Sequence, residues 1–406
     1  MSVDGWVAAG FEGVRGAFQA NFDAGKEVGA AFAAYHRGQL VVDLWGGIAD
    51  QHTEKPWEED TLVLVYSTTK GATALCANKL IQEGALDADA AVVTYWPEFA
   101  QAGKEAVTVT DLLAHRAGLA WIDGSMSFDE MVAWEPVVRA LGAQAPSWPP
   151  GTAHGYHATT FGWLVGEVVR RVSGKSVGRY LADEIAGPLA ADFYIGLPAR
   201  LEDRVARLVS FAEAGGAGAP LEGLPGAGGD QLGQLAEYLA PDGALTKALN
   251  APGGALSDPG VWNTPELHRA EVPAANGICD ARSLARLYGA AVSDVVAPSG
   301  EKVRILSPEQ LTRAVHQETE GPDKVLLGLD MQWGLGFMIN RGLIDLARIG
   351  GPRSFGHFGM GGSAGWAEPD AELAMGYVMN KMVVGTTGDT RSYRLMHACL
   401  EAAAAR

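Results

Sequence analysis

Ser67 and Lys70 stand three residues apart in Val65-Tyr66-Ser67-Thr68-Thr69-Lys70, where an apolar run from Leu62 to Tyr66 gives way to a helical pattern. Spacing of i, i+3 puts both side chains on one helix face, so the amine can reach the hydroxyl. A serine hydroxyl is a weak nucleophile until an adjacent base takes its proton. A lysine can do so once burial or a neighbouring cation lowers its pKa. The helix N-terminus adds a positive field and backbone N–H groups that can hold an oxyanion. Taken alone, the pattern reads more readily as an ordinary helix N-cap. The same spacing recurs in a polar loop at Ser299-Gly300-Glu301-Lys302.

Two later segments change the weight of that pair. Pro150-Gly151-Thr152-Ala153-His154-Gly155-Tyr156-His157 precedes an amphipathic helix pattern, Phe161 to Val172. A tyrosine on such a loop can offer its phenol oxygen to a serine if a cation holds it ionised; otherwise it is a half-buried aromatic bonded to backbone. Gly356-His357-Phe358-Gly359-Met360-Gly361-Gly362-Ser363 runs from a strand into glycines, which let backbone approach a ligand closely. The overlapping Gly361-Gly362-Ser363-Ala364-Gly365 fits the GxSxG nucleophile elbow, but that motif needs a helix next. Trp366 to Pro369 reads as a strand and a turn, so Ser363 is not taken as the nucleophile. His154 and His157 lack the partners of a metal site. The glycine clusters at 215–218 and 226–229 lack the setting of a dinucleotide site. Trp121, Trp148 and Trp366 are candidate pocket walls, with ordinary core packing the commoner fate of such rings.

In order and content these three segments resemble the serine β-lactamase-like hydrolases: class C β-lactamases, D,D-peptidases and, above all, the family VIII carboxylesterases. Asp43-Leu44-Trp45-Gly46-Gly47, Leu112-Leu113-Ala114-His115-Arg116-Ala117-Gly118-Leu119 and Ala274-Ala275-Asn276-Gly277 extend the likeness from about residue 10 to about residue 400. The resemblance implies Ser67 as nucleophile, with Lys70 and Tyr156 sharing the base and acid roles as a coupled pair. It implies an oxyanion hole from the backbone N–H groups of Ser67 and Met360. His357, Phe358 and Gly359 are expected to position substrate, with His357 alternatively holding Tyr156 by a hydrogen bond. Neither a metal nor an organic cofactor is implied.

Two departures from the family pattern steer the substrate. Where β-lactamases and D,D-peptidases usually carry Lys, then Thr or Ser, then Gly, this chain has His357-Phe358-Gly359. Where they carry Asn two residues after the tyrosine, it has Ala158. Both losses weaken recognition of a carboxylate and an amide, and neither harms ester cleavage. A small-molecule carboxylic ester is therefore the expected substrate. A β-lactamase or D,D-peptidase-like amidase, an acyltransferase and a catalytically silent scaffold are the other readings.

These residues need a framework. Helical patterns cover Phe11–Phe22, Ser67–Gly84, Val109–His115, Thr160–Val172, Val177–Leu189, Ala281–Val292 and Tyr393–Ala404. Strand patterns cover Gly29–Tyr35 and Gln39–Trp45, then Gln332–Ile339, Ser354–His357, Ala364–Glu368 and Leu373–Asn380. Ala212–Asp230 and Pro252–Pro265 read as loops. Strands near both ends with helices between predict an α/β domain from residues 1–84 and 325–406, a mainly helical domain at 85–324, and a site between them. With the resemblance, the expected class is α/β plus all-α: a β-lactamase/transpeptidase-like fold with an antiparallel sheet flanked by terminal helices.

Composition agrees with an enzyme. The chain has 406 residues, 48% of them AVILMFWYC, which excludes a mainly disordered protein. A net charge of -17 argues against nucleic acid and anionic lipid as partners. No secretory signal or membrane span is visible, so a cytoplasmic location is expected. The oligomeric state is left open. Cys76, Cys279 and Cys399 are far apart and odd in number, and are read as buried reduced thiols.

Overall fold

The computed structural model of the chain describes residues 2–214, 240, 242–339, 348–383, 385 and 388–405. Its main sheet takes strands from both ends of the sequence. They are β1 (Val3–Val7), β2 (Gly29–His36), β3 (Gln39–Asp50), β4 (Met338–Ile339), β5 (Phe355–Phe358), β6 (Ala364–Glu368) and β7 (Leu373–Met379). The order is β1-β3-β2-β7-β6-β5-β4, antiparallel throughout, with Lys55–Pro56 beside β3 as the eighth strand. The two chain ends meet at β2 and β7, where Phe32 lies opposite Tyr377.

Side-chain alternation along β2 explains the layers. Ala30, Phe32 and Ala34 point into a core shared with Phe11, Val14 and Phe18 of helix α1 (Glu12–Asp23) and its flank, and with Leu395, Met396 and Cys399 of helix α5 (Thr390–Ala404). Ala31, Ala33 and Tyr35 point the other way, towards Leu284, Ala285 and Tyr288 of helix α4 (Ala281–Val292). Helix α4 can approach only because the strands beneath it carry glycine. A Cβ on Gly376 would stand 2.5 Å from the Ala281 carbonyl oxygen, and one on Gly365 2.4 Å from the Tyr288 ring. The β2–β3 turn fits the same economy: Arg37 and Gly38 both have positive φ, 50° and 74°, as a two-residue hairpin with right-handed twist needs.

Helix α2 (Thr69–Gln82) is buried along most of its length and packs against helix α3 (Thr160–Ser173) and against strand β5 of the sheet. Two sequence expectations are corrected. Residues 332–339 do not form one strand: only Met338–Ile339 does, because Gly336, at φ 86°, bends the chain closely around Ala74 of α2. Helix α4 lies within the 85–324 segment assigned to the helical domain, yet it packs on β2 and β7 of the sheet. The glycine clusters at 215–218 and 226–229 fall outside the described residues. Cys76, Cys279 and Cys399 are buried free thiols. Among the described residues no helix is long and apolar enough to cross a membrane.

Candidate active site

Ser67 lies where the short strand Val63–Leu64 leaves a small sheet, shared with Ile278–Cys279 and Phe193–Tyr194, and α2 begins. The Val65 N–H still donates to the Gly277 carbonyl at 2.9 Å. Tyr66 then turns the chain with a φ of 44°. A left-handed tyrosine costs about 1–3 kcal/mol, so the surroundings must impose it. Thr69 does so by donating both its N–H and its hydroxyl to the Tyr66 carbonyl. The Trp262 ring, centred 4.6 Å from that of Tyr66, closes the other side. Ser67 is thereby left half-buried at the head of a buried helix.

Lys70 is fully buried one turn into that helix. Its Nζ lies 3.1 Å from Ser67 Oγ, 2.6 Å from the Ala158 carbonyl oxygen and 3.0 Å from the Ala274 carbonyl oxygen. None of the three neighbours is charged. Loss of water therefore dominates, and burial pushes the ammonium well below its ordinary pKa. Carbonyl oxygens only accept hydrogen bonds, so two amine hydrogens are committed to Ala158 and Ala274. The remaining direction on nitrogen faces Ser67.

Tyr156 is held by its backbone. On the loop before α3, Gly155 N–H donates to the His115 carbonyl at 3.0 Å, Tyr156 N–H to Asp323 Oδ1 at 3.0 Å, and His157 N–H to His115 Nδ1 at 3.1 Å. The Tyr156 ring stacks on Trp333, with centroids 5.4 Å apart and planes 8° off parallel, and Lys70 Nζ lies 4.8 Å from its centroid. Burial raises the phenol pKa, more than the hydrogen-bonding Ser67 hydroxyl lowers it. The ring is thus kept as a neutral phenol rather than a phenolate.

On β5, His357 is fully buried and donates from Nδ1 to the Phe358 carbonyl at 2.7 Å. Nε2 is then the lone-pair nitrogen, and among the described residues nothing bonds to it. Burial holds the imidazole well below its ordinary pKa, so it is neutral. The expected hydrogen bond to Tyr156 is therefore absent among the described residues, although the two rings are 6.1 Å apart. Phe358 is a second correction. Successive strand residues face opposite sides, and its ring packs in the core between Trp366 and Tyr393, at 5.2 and 5.9 Å. Gly359 acts through what it lacks: a Cβ there would stand 2.3 Å from the Val65 carbonyl oxygen. It brings the Met360 loop against the Ser67 turn. Among the described residues, no acceptor meets the backbone N–H of Ser67 or of Met360.

Of the other candidates, Ser363 is buried in the glycine loop. The Ser299–Lys302 segment is a surface turn between the short strands Val295–Val296 and Lys302–Val303. Trp366 is core, and its Nε1 donates to the Ile349 carbonyl. Trp121 and Trp148 form an edge-on pair beside His157. His157 is saturated by the Gly155 carbonyl and the Leu119 N–H. Among the described residues, no group of three His, Cys, Asp or Glu could hold a metal.

Several residues that shape the site gave little sequence signal. Asp323 also accepts the N–H groups of Val325 and Leu326, both at 2.8 Å. Asn276, within the Ala274–Gly277 segment, accepts from Val272 N–H and donates to the Leu267 and Ala270 carbonyls, which fixes the turn presenting the Ala274 carbonyl. An Asn followed by Gly signals a turn at 276–277; nothing around Asp323 or Trp333 marks them.

The Beta-lactamase family model matches residues 14–399. The "Esterase/beta-lactamase LipL" of Mycobacterium tuberculosis is 33% identical over 390 residues, 90% of this chain and 80% of that protein. A family VIII carboxylesterase crystal structure superposes with a TM-score of 0.84 at 38% identity, covering 99% of this chain and 100% of that one. A penicillin-binding protein homologue from Caulobacter crescentus gives 0.85 at 36% identity, over 99% and 100%.

Proposed function

This chain belongs to the Beta-lactamase family, and we propose that within it the protein is a serine hydrolase of carboxylic esters. The observation that carries the reading is the buried Lys70 amine, with two carbonyl acceptors and its third direction on Ser67 Oγ. As a neutral amine, Lys70 uses its lone pair to take the Ser67 proton while Oγ bonds to the ester carbonyl carbon. The carbonyl electron pair moves onto oxygen, between the N–H groups of Ser67 and Met360. Collapse expels the alcohol oxygen, which takes the Tyr156 phenol proton. Lys70 returns its proton to Tyr156, leaving an acyl-Ser67. Water, deprotonated by the same pair, repeats the sequence and releases the acid.

Lys70 rather than Tyr156 takes the first proton, because burial lowers the pKa of the amine and raises that of the phenol. Esters are favoured over β-lactams and peptides because neutral His357 gives no fixed charge for a carboxylate. Ala158 likewise gives no side-chain amide. The names of the relatives support both esterase and β-lactamase chemistry in this family. The test is turnover of p-nitrophenyl acetate and butyrate, beside nitrocefin, by the wild type and Ser67→Ala. Ester turnover abolished in Ser67→Ala is the expected result. Nitrocefin turnover with poor ester turnover would transfer the reading to an amidase, and no turnover of either to a silent scaffold.

A further inference from the structure

Ser363, the serine of the GxSxG pattern, has no part in the chemistry above, yet it is fully buried between the two halves of the site. A hydroxyl has one hydrogen and two lone pairs. The hydrogen goes to the Val65 carbonyl at 2.8 Å, since a carbonyl can only accept. Thr68 Oγ1, at 3.0 Å, must then donate to Ser363 Oγ. The Ser363 carbonyl accepts the Gly359 N–H at 2.8 Å. Val65 and Thr68 bracket Ser67, and Gly359 precedes Met360. One residue thus bonds to both backbone segments that carry the two N–H groups without acceptors. The join leaves no slack, because a Cβ on Gly359 would stand 2.2 Å from Ser363 Oγ. Further along the loop, Arg391 Nη2 donates to the Gly361 carbonyl at 2.7 Å and anchors its outer side.

We propose that Ser363 is a positioning residue for ester hydrolysis: its hydroxyl sets the spacing of the Ser67 and Met360 N–H groups around the oxyanion. This rests on the reading of Ser67 as nucleophile and of those two groups as the oxyanion hole. Ser363 touches neither substrate nor the reacting atoms, so its loss should act on the transition state and spare ground-state binding. Losing one oxyanion donor outright costs about 10²–10³-fold in kcat. Loosening the spacing of two should cost somewhat less, about 10–100-fold.

The experiment uses wild type, Ser363→Ala and Thr68→Val with p-nitrophenyl butyrate, a boronic acid inhibitor whose adduct places an oxygen in the oxyanion hole, and a fluorophosphonate label mapped to its peptide. Expected for Ser363→Ala are kcat down about 10–100-fold, KM within twofold, and boronate affinity down in step with kcat/KM. Thr68→Val keeps a side chain of the same shape and should move kcat and boronate affinity together in the same direction. It serves as the test if Ser363→Ala does not fold. Unchanged kcat and boronate affinity in a folded variant, or a rise in KM alone, overturns the proposal while the label on Ser67 keeps the hydrolase reading intact. A label on Ser363, or none, overturns the nucleophile assignment as well.

Discussion

At the scale of single residues, the site is a problem of where protons reside. Lys70 and Tyr156 are both buried, and burial disfavours the charged form of each, which favours amine over ammonium and phenol over phenolate. In the proposed mechanism the active form of Lys70 is the neutral one. Hydrolysis, as kcat/KM, should therefore rise with pH through a group titrating well below the ordinary lysine value. In Tyr156→Phe, kcat should fall by about 10²-fold or more while that limb persists; its disappearance would make Tyr156 the base. Lys70→Met should lose the limb together with most of the rate. Ser67, Lys70 and Tyr156 stand out in the sequence only through the order of three separate segments and the resemblance they carry, since each alone reads as an ordinary cap or packed ring. The neutrality of His357 and the inward turn of Phe358 could not be read there, since both depend on what other segments bring against β5.

At the scale of elements, glycines decide how closely layers approach. The 3.6-residue apolar pattern was enough to place α4 at Ala281–Val292, the bounds the structure has. The pattern says only that one face is buried, not against which partner. Gly365 and Gly376 supply that partner by clearing space on β6 and β7. We expect Gly376→Ala to destabilise the fold by about 1–3 kcal/mol through overpacking against the α4 backbone. Urea unfolding with an unchanged m-value would measure it, and no shift in midpoint would mean that the helix can ride outward freely. The broken strand at 332–339 has the same kind of cause: Gly336 bends the chain to follow α2, a contact that no local pattern contains.

At the scale of the whole molecule, Lys70 shares its interior with several imidazoles. His115, His157 and His357 are fully buried, and burial lowers the pKa of all three, that of His157 to about 4. Between about 6.5 and about 4 the unfolded chain binds protons that the native state refuses, so stability rises with pH across this window and is lost as pH falls through it. Thermal unfolding followed from pH 7.5 to 4.5 should show that loss, and His157→Gln should flatten the slope. A slope equal to wild type would remove His157 as a source. The sequence alone carried the family resemblance, the order of the three motifs and the places of the long helices, because these are set by residue type and by spacing over a few positions; the shorter helices Phe128–Val132, Glu135–Ala143 and Pro308–Ala314 were not legible in it. Only the tertiary structure decided that Lys70 has carbonyls from Ala158 and Ala274 as its other partners, that Asp323 holds Tyr156, and that Ser363 bonds across to the Ser67 turn. Those contacts join residues tens to hundreds of positions apart, and they exist only once packing has removed water and left each polar group to find a partner.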